Sequence, residues 1–304
     1  MTSINLIKII RLHIVGGGLL AFLVGALLAI TQEPTINLPL IVLAYGVVFL
    51  GDLSTHFSND YFDVDIDKHV KNKKSFSGRK ILVVYPNLQK KAKTISQLLL
   101  ITSLLLGVII VIFFNAPIML LVIAFMVDIL GWYYSAPPIR LSRRGLGEIT
   151  VAFATGFAIP SIAYLSVRNQ LDFFWLFLTI PFMLYGFILS LNLEAPDIDT
   201  DKKQGKTNLA TKMSTQIISI ITLGLTSIST LIFFIFKCNF TLVLIDWWVF
   251  IVLSTIPLML AFLVAFRIAY KKDTNPNNNL NIYSLILFNF LTIVYLLLII
   301  LFAL

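Results

Sequence analysis

Long uninterrupted apolar runs constrain this sequence more than any other feature. Residues 94–114 and 281–303, for example, contain no charged side chain. A helix of about 20 such residues crosses the hydrocarbon core of a membrane, which is about 30 Å thick. The chain is 58% hydrophobic and only 12% charged, which is far from the composition of a soluble domain. The sequence therefore predicts an all-α, polytopic membrane protein.

Nine runs are predicted to be transmembrane helices. They lie at roughly 12–31, 37–58, 94–114, 117–135, 147–167, 172–193, 214–236, 245–268 and 281–303. The first run follows two basic residues, as in a signal peptide, but it is longer than a usual signal core and lacks a cleavage pattern. We therefore expect a retained helix. No stretch resembles a linker between soluble domains, so residues 1–304 are expected to form one membrane-embedded domain.

The orientation of the predicted bundle follows from its basic residues, which accumulate in cytoplasmic segments of membrane proteins. With the N-terminus in the cytoplasm, only Arg168 and Lys237 of the 23 basic residues fall outside cytoplasmic segments. The prediction is a multi-pass integral membrane protein with its N-terminus inside. The net charge of +8 then reflects topology, and no nucleic-acid partner is expected.

Two acidic clusters follow the second and sixth predicted spans, both on the predicted cytoplasmic side. DVDID at 63–67 and DIDTD at 197–201 have the same polar spacing. Asn59, Asp63 and Asp67 are spaced i, i+4, i+8, which places them near one face of a helix. Carboxylates this close repel one another unless a cation compensates them, and oxygen ligands alone suit Mg²⁺. The alternative for each cluster is a solvated acidic helix end.

Basic residues accompany both clusters, and this combination suits a diphosphate. Mg²⁺ would bridge the diphosphate oxygens while lysines and arginines neutralise the remaining charge. A diphosphate at a membrane surface, beside apolar helices, most naturally carries an isoprenoid tail.

Three segments resemble motifs of the UbiA superfamily of intramembrane prenyltransferases. NDYFDVDID at 59–67 matches the first motif, N-D-x-x-D-x-x-x-D, and DIDTDKKQGKTNL at 197–209 resembles the second. Between them, YSAPPIRLSRRGLGE at 134–148 looks like the corresponding stretch of the 1,4-dihydroxy-2-naphthoate branch. With nine spans, the resemblance covers nearly the whole chain.

The resemblance implies a helix bundle around a central cavity and a Mg²⁺-dependent transfer of a polyprenyl group from polyprenyl diphosphate to a lipophilic aromatic acceptor. That acceptor would be 1,4-dihydroxy-2-naphthoate, as in menaquinone-type quinone biosynthesis. The implied metal ligands are Asn59, Asp63, Asp67, Asp197 and Asp201. The resemblance also places Tyr134 and Ser135 near the reacting carbon, and Arg79 and Lys206 at the diphosphate. Arg140 or Arg143 would supply an additional positive charge. Arg11 would either contact the diphosphate or anchor the first helix at the membrane surface.

Two departures from the family pattern leave the acceptor open. Pro138 stands where the benzoate branch has a lysine, and EAPD at 194–197 replaces the N-x-R-D of many bacterial naphthoate enzymes. The alternatives are transfer to 4-hydroxybenzoate, transfer of geranylgeranyl to geranylgeranylglyceryl phosphate in ether lipid synthesis, and, from another class, a membrane transporter. A transporter would have charges near the span midpoints, whereas seven of the 15 acidic residues lie at 60–67 and 197–201.

Three ionisable residues inside the spans have no assigned role in these motifs. Asp52 and Asp128 are intramembrane carboxylates, which are functional by default or else paired structurally. His56 lies one turn before Asn59 and either supports the site or is a hydrogen-bonded structural histidine.

Overall fold

The chain folds into a bundle of helices at the predicted spans. The computed structural model describes residues 9–10, 12–33, 36–68, 81–203, 205–240, 242, 244–271 and 278–303, and no strand occurs among them. The long helices are α1 Leu12–Ile30, α2 Leu38–Phe62, α3 Gln89–Phe114, α4 Ile118–Ser135, α5 Gly147–Arg168, α6 Phe173–Glu194, α7 Thr215–Asn239, α8 Trp247–Lys271 and α9 Asn278–Ala303. Of these, α2 to α9 are long and apolar enough to cross a membrane, and α1 contributes a shorter apolar stretch, Val15–Ile30. The predicted fold class is confirmed.

Polar residues at the ends of the runs set the helix boundaries. The Asn37 side chain accepts a hydrogen bond from the Leu40 amide and begins α2, and Asp172 accepts from the Trp175 amide and begins α6. Asn115 adopts a left-handed conformation after α3, which is one of the usual ways a helix ends. These caps satisfy backbone groups that a membrane cannot hydrate.

Two features of the helices differ from the prediction. Helix α3 begins at Gln89, before the predicted residue 94, because a turn of 3₁₀ helix at Pro86–Leu88 leads directly into it. Helix α5 contains a π-helical turn at Ala154–Ala158, which hydrophobic periodicity does not reveal.

Small residues let the helices approach closely. A Cβ on Gly25 of α1 would collide with the Pro160 carbonyl of α5, and one on Gly156 of α5 would collide with the Met183 backbone of α6. Consecutive helices pack against each other for most of the chain, and α9 closes the bundle by contacting both α1 and α6. Close backbone approach is a main source of stability between helices in lipid.

The alternation of helix direction brings three connecting segments to one end of the bundle. These are residues 63–68 after α2, 136–146 between α4 and α5, and 195–214 between α6 and α7. We call this the motif end. At the opposite end, Arg168 forms ion pairs with Asp172 and Glu33 and donates to the Gln32 carbonyl, so it joins the segments around α1 and α6.

Candidate active site

The first acidic segment begins where α2 ends. Asp63 caps the helix, and its amide donates to the Asn59 carbonyl at 2.9 Å. The Asp63 carboxylate accepts from the Ser135 hydroxyl of α4 at 2.7 Å and from Arg143 Nη2 at 2.8 Å. Asp65, by contrast, is 90% exposed and pairs with Lys68 at the surface. The two carboxylates therefore differ in environment.

Arg143 connects the first acidic segment to the second. Its guanidinium holds Asp63 and also donates to the Phe62 carbonyl at 3.3 Å. Its backbone carbonyl accepts from both the amide and the hydroxyl of Thr207, at 3.2 and 2.6 Å. The α4–α5 connection thus lies between the two acidic segments and fixes them relative to each other.

The second acidic segment continues α6 through a 3₁₀ turn, Ala195–Asp197, and a short helix, Ile198–Lys203. Asp201 is only 7% exposed. Its carboxylate accepts from Lys206 Nζ at 3.0 Å and from the Asn208 amide at 3.3 Å. Asn208 is fully buried and also donates to the Glu194 carboxylate. These contacts fold the chain after Asp201 back over the end of α6.

Glu148 at the start of α5 ties this second segment to the rest of the site. It is fully buried, and its Oε1 accepts from the amides of Leu209 and Ala210 at 2.7 and 3.2 Å. These amides begin the 3₁₀ turn Ala210–Lys212, so the carboxylate satisfies donors that would otherwise be unpaired.

Lys206 is the charge about which the second acidic segment is arranged. Its Nζ lies 3.0 Å from Asp201 and 3.9 Å from Glu194. Burial by itself lowers the pKa of Lys206, but the carboxylates of Glu194, Asp201 and Asp63 together raise this pKa above its ordinary value. The ammonium group therefore stays charged at neutral pH.

The structure places the predicted residues as follows. Asn59, on the last turn of α2, has its Oδ1 buried without a hydrogen-bond partner. Asp67 and Asp197 are half-buried in their segments, and the Tyr134 ring lies against Gly147. Arg140 adopts a left-handed conformation with φ 50°, and its Nε is buried without a hydrogen-bond partner. Arg11 and Arg79 lie outside the described residues.

The donor set suits a hard cation, because it consists of carboxylate and amide oxygens. In the part of the chain that the structure describes, no three acidic, histidine or cysteine side chains converge as a ready-made metal site. Arg143 and Lys206 instead compensate Asp63 and Asp201. A metal here would be held by carboxylates of the two acidic segments and by Asn59 Oδ1, together with oxygens of a bound anion.

Four residues of the site were not predicted from the sequence, namely Glu148, Glu194, Thr207 and Asn208. They act by holding the connecting segments together, so their roles depend on contacts between distant parts of the chain. A possible signal was available for Glu148 and Glu194, since a carboxylate next to an apolar span must find a partner.

The fold and the site define a multi-pass membrane protein with two acidic segments joined at one end of a helix bundle. The sequence pattern of the UbiA prenyltransferase family matches residues 18–291. The chain belongs to this family, and it is an enzyme, a prenyltransferase.

Several solved structures share the fold. A UbiA homolog from Archaeoglobus fulgidus, determined with GPP and Mg²⁺ bound, is 18% identical, with 97% of this chain and 99% of that chain covered and a TM-score of 0.72. A digeranylgeranylglyceryl phosphate synthase is also 18% identical, with 99% of each chain covered and a TM-score of 0.69. At this identity the likeness establishes the fold alone.

A curated plant relative matches part of the chain. This protein, described as probable homogentisate phytyltransferase 2, chloroplastic, from Oryza sativa subsp. japonica, is 30% identical over 103 residues. The match spans 32% of this chain and 27% of the relative.

Proposed function

We propose that this protein transfers a polyprenyl group from polyprenyl diphosphate to an aromatic acceptor, and that the reaction depends on Mg²⁺. The observation that carries the proposal is the bridge at Arg143. Its side chain holds Asp63 while its backbone carbonyl holds Thr207, so the two acidic segments contribute to one site. The A. fulgidus homolog was determined with a prenyl diphosphate and Mg²⁺ bound, which supports the same pair of ligands here.

In this proposal the acidic residues hold the metal, and the basic residues receive the diphosphate. The metal ligands are Asn59, Asp63, Asp67, Asp197 and Asp201. When bound, Mg²⁺ would supply Lewis acidity to the departing diphosphate. Arg143 and Lys206 already lie beside Asp63 and Asp201, so each can donate to diphosphate oxygens without a large movement. Ser135 orients Asp63, and Tyr134 on the same helix would border the reacting carbon.

The remaining predicted contacts complete the arrangement. Arg140 supplies a further charge in the α4–α5 connection, and Arg79 and Arg11 are assigned to the diphosphate by family resemblance. The whole chain, 1–304, acts as one membrane-embedded domain, with its N-terminus and active site on the cytoplasmic side. Eight of the 23 basic residues lie in the three segments of the motif end, whereas Arg168 lies at the opposite end, which supports this orientation.

The proposed acceptor is 1,4-dihydroxy-2-naphthoate, which would place the enzyme in menaquinone-type quinone biosynthesis. The residues of the α4–α5 connection, with Pro138 in place of a lysine, favour it over 4-hydroxybenzoate. The plant relative is described as acting on homogentisate, also an aromatic acceptor. Geranylgeranylglyceryl phosphate is the second candidate, because a synthase of digeranylgeranylglyceryl phosphate shares the fold.

The test is transfer of a radiolabelled prenyl group by the purified full-length protein in lipid nanodiscs. Geranylgeranyl diphosphate is supplied with and without Mg²⁺, and dihydroxynaphthoate, 4-hydroxybenzoate and geranylgeranylglyceryl phosphate are offered in parallel. We expect a Mg²⁺-dependent product with dihydroxynaphthoate. A product with geranylgeranylglyceryl phosphate alone would assign the enzyme to ether lipid synthesis, and no product with any acceptor in folded protein would overturn the proposal.

A further inference from the structure

One face of α2 changes in chemistry along its length. Residues three or four apart share a face of a helix. The face that carries the first motif consists of Val42, Tyr45, Phe49, Asp52, His56, Asn59 and Asp63. It is apolar and aromatic at the far end, where Val42 and Phe49 are 60% and 37% exposed. It becomes polar at Asp52, about three turns before the acidic segment.

The polar part of this face does not suit contact with lipid. A carboxylate in the hydrocarbon core costs at least about 2.5 kcal/mol on insertion scales and is normally found facing a cavity or a partner. The Asp52 side chain is 20% exposed, and its Oδ2 lies 3.6 Å from where a Cβ on Gly18 of α1 would stand. The Asp52 carboxylate therefore contacts α1 at Gly18 and remains partly accessible beside it.

Asp52 and His56 form an acid–imidazole pair on this face. His56 Nε2 lies 3.5 Å from Asp52 Oδ1, and the histidine side chain is 4% exposed. The next polar position toward the acidic segment is Asn59, whose Oδ1 has no hydrogen-bond partner. The face thus offers a carboxylate, an imidazole and an amide oxygen in succession, and groups of this kind are costly in a membrane unless a ligand or neighbour bonds to them.

The depth of the pair suits an acceptor. With a rise of 1.5 Å per residue, His56 lies about 10 Å and Asp52 about 16 Å from Asp63 along the helix axis. Metal and diphosphate would occupy the region nearest Asp63. The reacting carbon would come next, and an aromatic ring in contact with it would extend toward Asp52, with the apolar residues beyond the pair.

We propose that Asp52 and His56 bind a hydroxyl group of the acceptor and orient its ring toward the prenyl group. This inference rests on the proposed function and names the acceptor class as a hydroxylated aromatic compound. A phenolic hydroxyl donates to the Asp52 carboxylate, which His56 holds in place. A site that bonds to a hydroxyl group strongly disfavours analogues that lack it, because its own polar groups are then left unpaired.

The experiment measures binding without turnover, using quenching of tryptophan fluorescence in nanodiscs. Trp132 of α4 packs against Phe62 at 5.7 Å, so it lies close enough to the site to report on it. The probes are 1,4-dihydroxy-2-naphthoate and 2-naphthoate, which keeps the ring and carboxylate but lacks both hydroxyls. They are compared in the wild type, Asp52→Asn, His56→Gln and the control Asp65→Asn, whose carboxylate lies at the surface. Binding of geranylgeranyl diphosphate with Mg²⁺ is measured on the same samples.

We expect the wild type and Asp65→Asn to bind dihydroxynaphthoate at least about tenfold more tightly than 2-naphthoate, as one charge-assisted hydrogen bond implies. Asp52→Asn should reduce the ratio of the two affinities, dihydroxynaphthoate over 2-naphthoate, to about threefold or less. His56→Gln should reduce the same ratio to a value between those of the wild type and Asp52→Asn. Both should bind geranylgeranyl diphosphate within about twofold of the wild type.

An unchanged ratio in Asp52→Asn would overturn the inference, and so would a wild type that does not distinguish the two probes. An equal loss of diphosphate binding would also overturn it, since the change would then act through the fold. Failure of the proposed function is a separate result, in which the hydroxyl preference persists but the wild type transfers no prenyl group.

Discussion

Truncation of Glu148 tests whether the second acidic segment is held in place from α5. The Glu148 carboxylate is fully buried and accepts from the amides of Leu209 and Ala210. Glu148→Ala leaves two buried N–H groups without a partner, and each unsatisfied donor costs about 1–3 kcal/mol. We therefore expect the free energy of unfolding to fall by about 2–6 kcal/mol. Glu148→Gln keeps an acceptor oxygen and should lose less than half of this.

The assay is unfolding of the full chain in mixed micelles with increasing SDS, followed by circular dichroism. The control is Ile149→Ala, because this adjacent side chain is 52% exposed and substitutions at such positions usually change stability by less than about 0.5 kcal/mol. A Glu148→Ala protein as stable as the control would refute the role of these two hydrogen bonds. So would a Glu148→Gln protein as unstable as Glu148→Ala.

Three further predictions concern other contacts. Arg143→Gln should lower kcat/KM for the prenyl diphosphate at least about tenfold, because it removes a charge-assisted hydrogen bond to Asp63. Initial rates at varied diphosphate concentration measure kcat/KM, and an unchanged value would contradict the prediction. The pKa of Lys206 is raised on folding, so its contribution to stability is complete below the ordinary lysine pKa of about 10.4 and is lost only as pH rises through the folded-state pKa. The difference in unfolding free energy between the wild type and Lys206→Met should therefore stay constant from about pH 5 to 7, and a change over this range would count against the charged state. Gly156→Leu should prevent folding, because the α6 backbone occupies the space that the new side chain would need. Gly224→Leu should fold, because no atom lies within 4 Å of a Cβ added at Gly224. Size-exclusion profiles distinguish folded from aggregated protein, and equal profiles for the two variants would refute the packing argument.

The helices could be predicted from the sequence because the membrane imposes a length and a polarity on each. The runs are long, the caps such as Asn37 and Asp172 lie at their ends, and few other structures satisfy the backbone in lipid. The π-helical turn in α5 could not be predicted, since it depends on how Gly156 and its neighbours fit against α6.

The acidic residues proposed for the site could be singled out from the sequence, but their hydrogen-bond partners could not. The spacing that singles out Asp63 separates it from Asp65, and in the structure the Asp63 side chain is 27% exposed and bonds to Arg143, whereas Asp65 is 90% exposed. That Arg143 bonds to Asp63 and Asn208 to Glu194 depends on contacts across 80 and 14 residues. A single sequence contains no direct record of such contacts, because hydrophobic periodicity reports only which face of a helix is buried.

The measurement that tests the central claim most directly is Mg²⁺-dependent prenyl transfer by four single variants. Asp63→Asn and Asp201→Asn remove the charge of carboxylates that bond to Arg143 and Lys206 in the site. Asp65→Asn and Asp199→Asn make the same change at exposed positions of the same clusters. We expect the first two to lose turnover while remaining folded, and the two controls to stay within about twofold of the wild type, as surface substitutions usually do. Normal turnover by Asp63→Asn or Asp201→Asn, or equal loss in all four, would contradict a metal–diphosphate site built from these carboxylates.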